Sequence, residues 1–165
     1  MISTAIDRVW IASELEKVIS SERSMAIEAK LRAETPPDPS LAVLYHEIAA
    51  QDERHVATLE TIAIRYGHTP SRSKGGGVAE TLGRLKDKVT QMGSSPFDLL
   101  RQDLLNKSDA IHWHSAWVQA FQSIGDTDSL GELTTVLTED QAHHCALLEG
   151  LKRILEQRVH DTTNP

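Results

Sequence analysis

The sequence predicts an all-α protein, an antiparallel four-helix bundle with a long crossover between the second and third helices. Three observations predict it. Four long stretches repeat apolar residues at helical spacing, and glycine and proline fall between those stretches rather than inside them. Aromatic residues make up only 4% of the chain, whereas strands are enriched in aromatic and β-branched side chains. At 165 residues, the chain is one domain's worth.

The first helix is expected over about residues 3–33, with Ser3 or Thr4 as its cap. Pro36, Pro37 and Pro39 forbid its continuation. Ser40 opens the second, which runs to Tyr66 and stops at Gly67 with Pro70 beyond, the usual order of glycine then proline. The short link makes these two a hairpin. Residues 67–96 form the crossover. Within it Val78, Leu82, Leu85, Val89 and Met92 alternate spacings of four and three, predicting a short amphipathic helix across the bundle. Gly93-Ser94-Ser95-Pro96 opens the third helix, residues 97–124. Gly125-Asp126-Thr127 turns the chain into the fourth, residues 128–159, and residues 160–165 are expected to fray.

The net charge of −7, with no Lys/Arg cluster to offset it, argues against a nucleic-acid partner. The stretch Arg72 to Gly77 lacks the ending and the preceding strand of a phosphate loop. No run of 18 apolar residues and no secretory h-region occur, so the expectation is a cytoplasmic protein without a membrane partner. One cysteine, Cys145, excludes an intrachain disulfide and reads as an inert small hydrophobe.

Chemistry is expected where polar residues interrupt the apolar stripes. In the first helix Glu22 stands between Val18 and Met25. In the second, Asp52 and His55 break the stripe of Leu44, Ile48, Leu59 and Ile62. In the fourth, Asp140 with His143 or His144 breaks that of Leu133, Leu137, Leu147 and Leu151. The third helix is apolar over a wider arc (Leu104, Leu105, Ile111, Trp113, Trp117, Phe121), and there Asp109 and His112 fall in line with Leu105 and Ala116. A carboxylate in an apolar core is costly unless it is paired, hydrogen-bonded or bound to a cation. Asp52-x-x-His55 and Asp140-x-x-His143 each put two side chains on one helical face. All four acidic positions lie at similar distances from their hairpin turns, which places them at one depth.

This layout resembles the ferritin-like di-iron carboxylate superfamily, which draws a Glu from two helices and a Glu-x-x-His from the other two. Gln51-Asp52-Glu53-Arg54-His55-Val56-Ala57-Thr58-Leu59-Glu60 is similar to the rubrerythrin helix motif. The Gly67/Pro70 break, glycine loop and crossover helix resemble small bacterial stress-associated ferritin-like proteins. The resemblance implies metal ligation by Glu22, Asp52, His55, Asp109, Asp140 and His143, with His112 and His144 as further candidates. It also implies iron, in a di-iron site, and ferroxidase or peroxidase-like work in oxidative-stress defence. The chain departs from the pattern with Asp at 52, 109 and 140. A side chain one methylene shorter points to one ion rather than two, to zinc, or to a vestigial site.

The competing reading makes the same residues a metal-free hydrogen-bonded network in a structural or stress protein that acts through partner binding or homo-oligomerisation. Trp113, Trp117 and Phe121, with Trp10, read as core or as a homodimer surface. His46, His68, His114 and His160 read as surface or packing residues, and Glu28 and Glu53 as solvent-facing. The short chain leaves little room for an organic-substrate pocket beside a metal.

Overall fold

The computed structural model describes residues 7–69 and 95–163, and these are all-helical, with no strand among them. Four long helices carry the fold: α1 (Arg8–Glu34), α2 (Ala42–Arg65), α3 (Pro96–Ile124) and α4 (Thr127–Thr163). A single 3-10 turn, Pro39–Leu41, leads into α2. The expected crossover helix, and the caps Ser3 and Thr4, lie outside the described residues.

Local chemistry sets each boundary. Asp7 caps α1 by accepting a hydrogen bond from the backbone N–H of Trp10 at 2.9 Å. Asp38 does the same for Ser40 at the 3-10 turn. Ser95 and Asp98 form a reciprocal capping box at α3, and Pro96 occupies the first turn, where its missing N–H costs nothing. Gly125 ends α3 at φ 74°, a left-handed conformation that a side chain would resist. Asp126 accepts from the Ser129 N–H to start α4, which stays helical through Thr163 instead of fraying at His160.

Ion pairs fix the neighbours. Arg23 and Lys30 of α1 pair with Glu60 and Glu53 of α2, and Arg32 of α1 meets Asp103 of α3. Arg65 of α2 reaches Ser129 and Glu132 of α4, and the Tyr66 hydroxyl donates to Asp126 at 2.6 Å.

The core has three levels. At one end Leu15, Ile19, Leu59, Ile62, Phe121 and Leu133 form an apolar layer. At the other, Leu41, Tyr45, Leu100 and Leu147 form a second. Between them, near mid-length on every helix, polar residues are buried as well: Glu22, Asp52, His55, Lys107, His114, Asp140 and His143. No described helix is long and apolar enough to cross a membrane.

Candidate metal centre

Each helix contributes to the middle layer because its apolar stripe is interrupted there by a polar residue in phase. Glu22 stands on the α1 face that buries Ile19 and Met25, and is 1% exposed. Asp52 and His55 lie one turn apart on α2, and Asp140 and His143 do the same on α4. On α3 the buried face runs through Leu100, Asp103, Leu104, Lys107, Ala110, His114, Trp117 and Phe121.

The centre is a cation held between two carboxylates. Lys107 donates to Asp52 Oδ1 at 2.5 Å and to Asp140 Oδ1 at 2.7 Å. His114 Nδ1 lies 2.9 Å from Asp140 Oδ2, and since a carboxylate only accepts, that nitrogen carries the proton. His55 Nε2 likewise donates to Glu139 Oε2 at 2.7 Å, at the half-buried edge of the layer. Both imidazoles therefore turn their second nitrogen inward.

Burial and charge move the titrations in opposite directions. Burial alone would lower the Lys107 ammonium, but Asp52, Asp140 and Glu22 outweigh it and hold the lysine charged well above its usual range. Burial also works against the Asp140 carboxylate, yet His114, Lys107 and His55 keep it below the ordinary carboxylate value. Asp52 shares Lys107 but has no imidazole partner like His114, and burial pushes it up to about 6. For His55 burial acts downward, and the neighbouring Glu22, Asp140 and Glu139 reverse it to a net rise. His143 is driven down to about 4 by burial and by the Lys107 charge, so it is neutral at pH 7.

Five buried polar atoms in this layer have no hydrogen-bond partner among the described residues. They are Glu22 Oε2, Asp52 Oδ2, His55 Nδ1, His114 Nε2 and His143 Nδ1. Buried polar atoms without partners are rare in folded proteins, and five from four helices in one layer call for an explanation. Three overlapping trios bring one donor atom per residue close enough to share an ion: Glu22/His114/Asp140, Glu22/Asp52/His55 and Asp52/Asp140/His143. His55 Nδ1 stands 3.8 Å from Glu22 Oε2 and 3.6 Å from Asp140 Oδ1, and His114 Nε2 stands 3.4 Å from Glu22 Oε1. Atoms bound to one four-coordinate ion at ~2.1 Å lie roughly 3.4 Å apart. The shortest of these separations is of that size, and Lys107 fills the gap between Asp52 and Asp140.

Comparison with protein-family models, curated proteins and solved structures returns no match. The site therefore rests on its own geometry.

Among the expected ligands, Glu22, Asp52, His55, Asp140 and His143 meet in this layer. Asp109 and His112 do not, because both are exposed. Asp109 follows Lys107 by two residues, about 200° around the helix, so when Lys107 faces inward Asp109 faces out. His144 is half-buried and belongs to none of the three trios. His114, expected at the surface or in packing, is 0% exposed at the centre. Glu53 is exposed as expected, whereas Glu28 is half-buried and accepts from Asn106. Cys145 is exposed.

Lys107, like His114, is a residue that sequence reasoning missed. Its signal was the series Asp103, Lys107, Ala110, His114, Trp117, Phe121, which alternates spacings of four and three. Leu105 and Trp113, 52% and 53% exposed, drew the stripe to the wrong face.

A cleft of about 330 Å³ opens between α1 and α3 and descends to the middle layer. Its walls include Trp10, Val18, Ala110, Trp113 and Trp117, and Glu22 and His114 also line it. Room for a small organic molecule therefore exists beside the centre, contrary to the expectation from chain length.

Proposed function

We propose that the chain is an antiparallel four-helix bundle of the ferritin-like kind that binds one transition-metal ion in its middle layer. Iron is the first choice and zinc the second, and the protein works in iron oxidation or peroxide defence in the cytoplasm. Contacts between neighbouring helices support the arrangement. Arg23 and Lys30 meet Glu60 and Glu53, Arg32 and Glu22 meet Asp103 and His114, and Arg65 and His55 meet Glu132 and Glu139. In each set the numbers rise along one helix as they fall along its neighbour.

The observation that carries the metal reading is the set of five inward-facing donor atoms without partners. The chain's own residues prepare them. Glu139 accepts a hydrogen bond from His55 Nε2 and Asp140 one from His114 Nδ1, which orients both rings so that the inner nitrogen would bind a metal in place of a proton. His143 offers a neutral imidazole. Lys107 supplies the positive charge that a second ion would bring and holds Asp52 and Asp140 in place. Apolar layers border the centre above and below, and the cleft between α1 and α3 leads to it. A bound iron would supply one-electron chemistry toward dioxygen or peroxide.

One observation favours a second reading. The Lys107 bridge between Asp52 and Asp140 is what a metal-free core would use to compensate its own acids, in a structural protein acting through oligomerisation.

Metal analysis of protein purified without a histidine tag separates the two. About one iron per chain, lost in the doubly substituted Asp52→Asn, Asp140→Asn protein, supports the metal reading. No metal after growth in iron- and zinc-replete medium, and no uptake on adding Fe(II) or Zn(II), leaves the metal-free protein.

A further inference from the structure

The cleft between α1 and α3 has apolar walls that the metal reading does not use, above the Glu22 and His114 that it does. Its upper walls are apolar: Trp10 and Trp117 lie with ring centroids 6.1 Å apart and planes tilted by 36°, and Trp113 and Ala110 also border the space. Deeper in stand two polar side chains that are all but fully buried, Glu22 at 1% and His114 at 0% exposure. Each leaves an atom without a hydrogen-bond partner among the described residues, Glu22 Oε2 and His114 Nε2. Glu22 Oε2, a carboxylate oxygen, is an acceptor, and so is His114 Nε2 in the neutral ring whose Nδ1–H faces Asp140. The cleft is thus a tryptophan-walled slot ending in two hydrogen-bond acceptors.

We propose that this slot binds a small, flat aromatic molecule carrying a phenolic O–H or ring N–H donor at one end. The ring stacks among the tryptophans, whose faces favour offset and tilted aromatic partners. The donor reaches Glu22 and His114, which in an apolar setting reward a partner that supplies a hydrogen and penalise one that does not. A volume of about 330 Å³ stands at the small end of ligand-binding cavities and suits one or two fused rings. A second copy of the chain is the weaker occupant. Its surface could cover Trp10 and Trp113 but would leave the acceptors below them unmatched. The proposal needs no metal, but it shares Glu22 and His114 with the reading above, and metal-free protein tests it apart from that reading.

The test uses the full chain stripped of metal with a chelator, and two probes that differ by one donor, 2-naphthol and 2-methoxynaphthalene. Binding is followed by calorimetry and by the indole N–H resonances of the chain's three tryptophans, all of which border the cleft. The expected result is 2-naphthol binding tighter than about 1 mM, and at least about tenfold tighter than its methyl ether. Glu22→Gln should shrink that preference. Ala120→Phe, at an exposed position lining the cleft, should weaken both probes by about tenfold or more while circular dichroism stays unchanged. Equal affinity for the two probes overturns donor recognition. No binding of either overturns the site, as does an Ala120→Phe protein that binds like the parent. Sedimentation showing a dimer that protects Trp10 and Trp113, with no naphthol uptake, transfers the face to a second copy.

Discussion

The ammonium of Lys107 lies 2.7 Å from Oδ1 of Asp140, 33 residues further along the chain, and both are buried. The same ammonium meets Asp52 on a third helix. A buried charge of this kind costs several kcal/mol to desolvate, and only its partners offset that cost. The pair matters as a unit, and removing one side exposes the other's penalty.

Lys107→Met should therefore destabilise the metal-free protein by about 3–5 kcal/mol, since Asp52, Asp140 and Glu22 then face one another without a cation. Thermal unfolding in a chelator reads this as a fall of roughly 10 °C. Adding Zn(II) or Fe(II) should restore much of the loss, because a ligand that binds only the folded state stabilises it by mass action. A variant that melts like the parent in chelator would show that the ammonium is not the compensating charge.

Three of the four helices were legible in the sequence for one reason. In α1, α2 and α4 the apolar stripe is regular and its polar interruptions are few, so Glu22, Asp52, His55 and Asp140 stood out by contrast. In α3 three polar residues, Asp103, Lys107 and His114, occupy the buried face, while Leu105 and Trp113 stand exposed. An apolar-period argument then locks onto the wrong side, and Asp109 and His112 were drawn in with it. Lysine is also the residue least expected in a core, because its charge is tolerated there only beside carboxylates from other helices. That pairing is a tertiary fact and leaves no local trace.

The titration of Asp52 gives a pH signature. Its folded value is raised from the ordinary 3.8 to about 6, so the folded state binds the proton more tightly than the unfolded chain. Stability from this group is present below pH 4 and is lost as pH rises to about 6. Metal-free Asp52→Asn, which mimics the protonated acid, lacks that loss. The stability difference between variant and parent, measured in urea, should shrink as pH falls from 7 to 4. A difference that stays constant over this range would show that Asp52 is ionised like a surface carboxylate. Metal uptake carries the opposite sign: a proton and a cation compete for Asp52, so affinity should weaken below about pH 6.

A second buried ion pair lies outside the centre. Arg32 Nε donates to Asp103 Oδ2 at 3.1 Å, and the Tyr45 hydroxyl donates to the same oxygen at 2.6 Å. Asp103→Ala strands the Arg32 guanidinium in an apolar layer and should cost about 3–5 kcal/mol. Tyr45→Phe removes one hydrogen bond to a charged acceptor and should cost about 1.5–3 kcal/mol. The double replacement Arg32→Met, Asp103→Leu removes both charges and should lie much closer to the parent than Asp103→Ala does. If the double variant is the least stable of the three, the pair itself, and not its imbalance, holds the helices together.

His143 and His144 are adjacent in sequence and differ in everything that matters to a metal. His143 is 6% exposed, follows Asp140 by one turn, and joins Asp52 and Asp140 in a ligand trio. Its fall to about pH 4 means that no proton has to leave before its nitrogen donates to an ion. His144 is half-buried and a helical step of about 100° away. Replacing a true ligand should lower affinity by about a hundredfold or more, beyond the 10–100-fold typical of outer-shell partners. His143→Asn should show that loss in competition with a chelating dye, whereas His144→Asn, Asp109→Asn and His112→Asn should leave affinity within about threefold of the parent. Equal losses at 143 and 144 would point to a general disturbance of α4 rather than to coordination, and a loss at Asp109 or His112 alone would move the ion off the inner layer altogether.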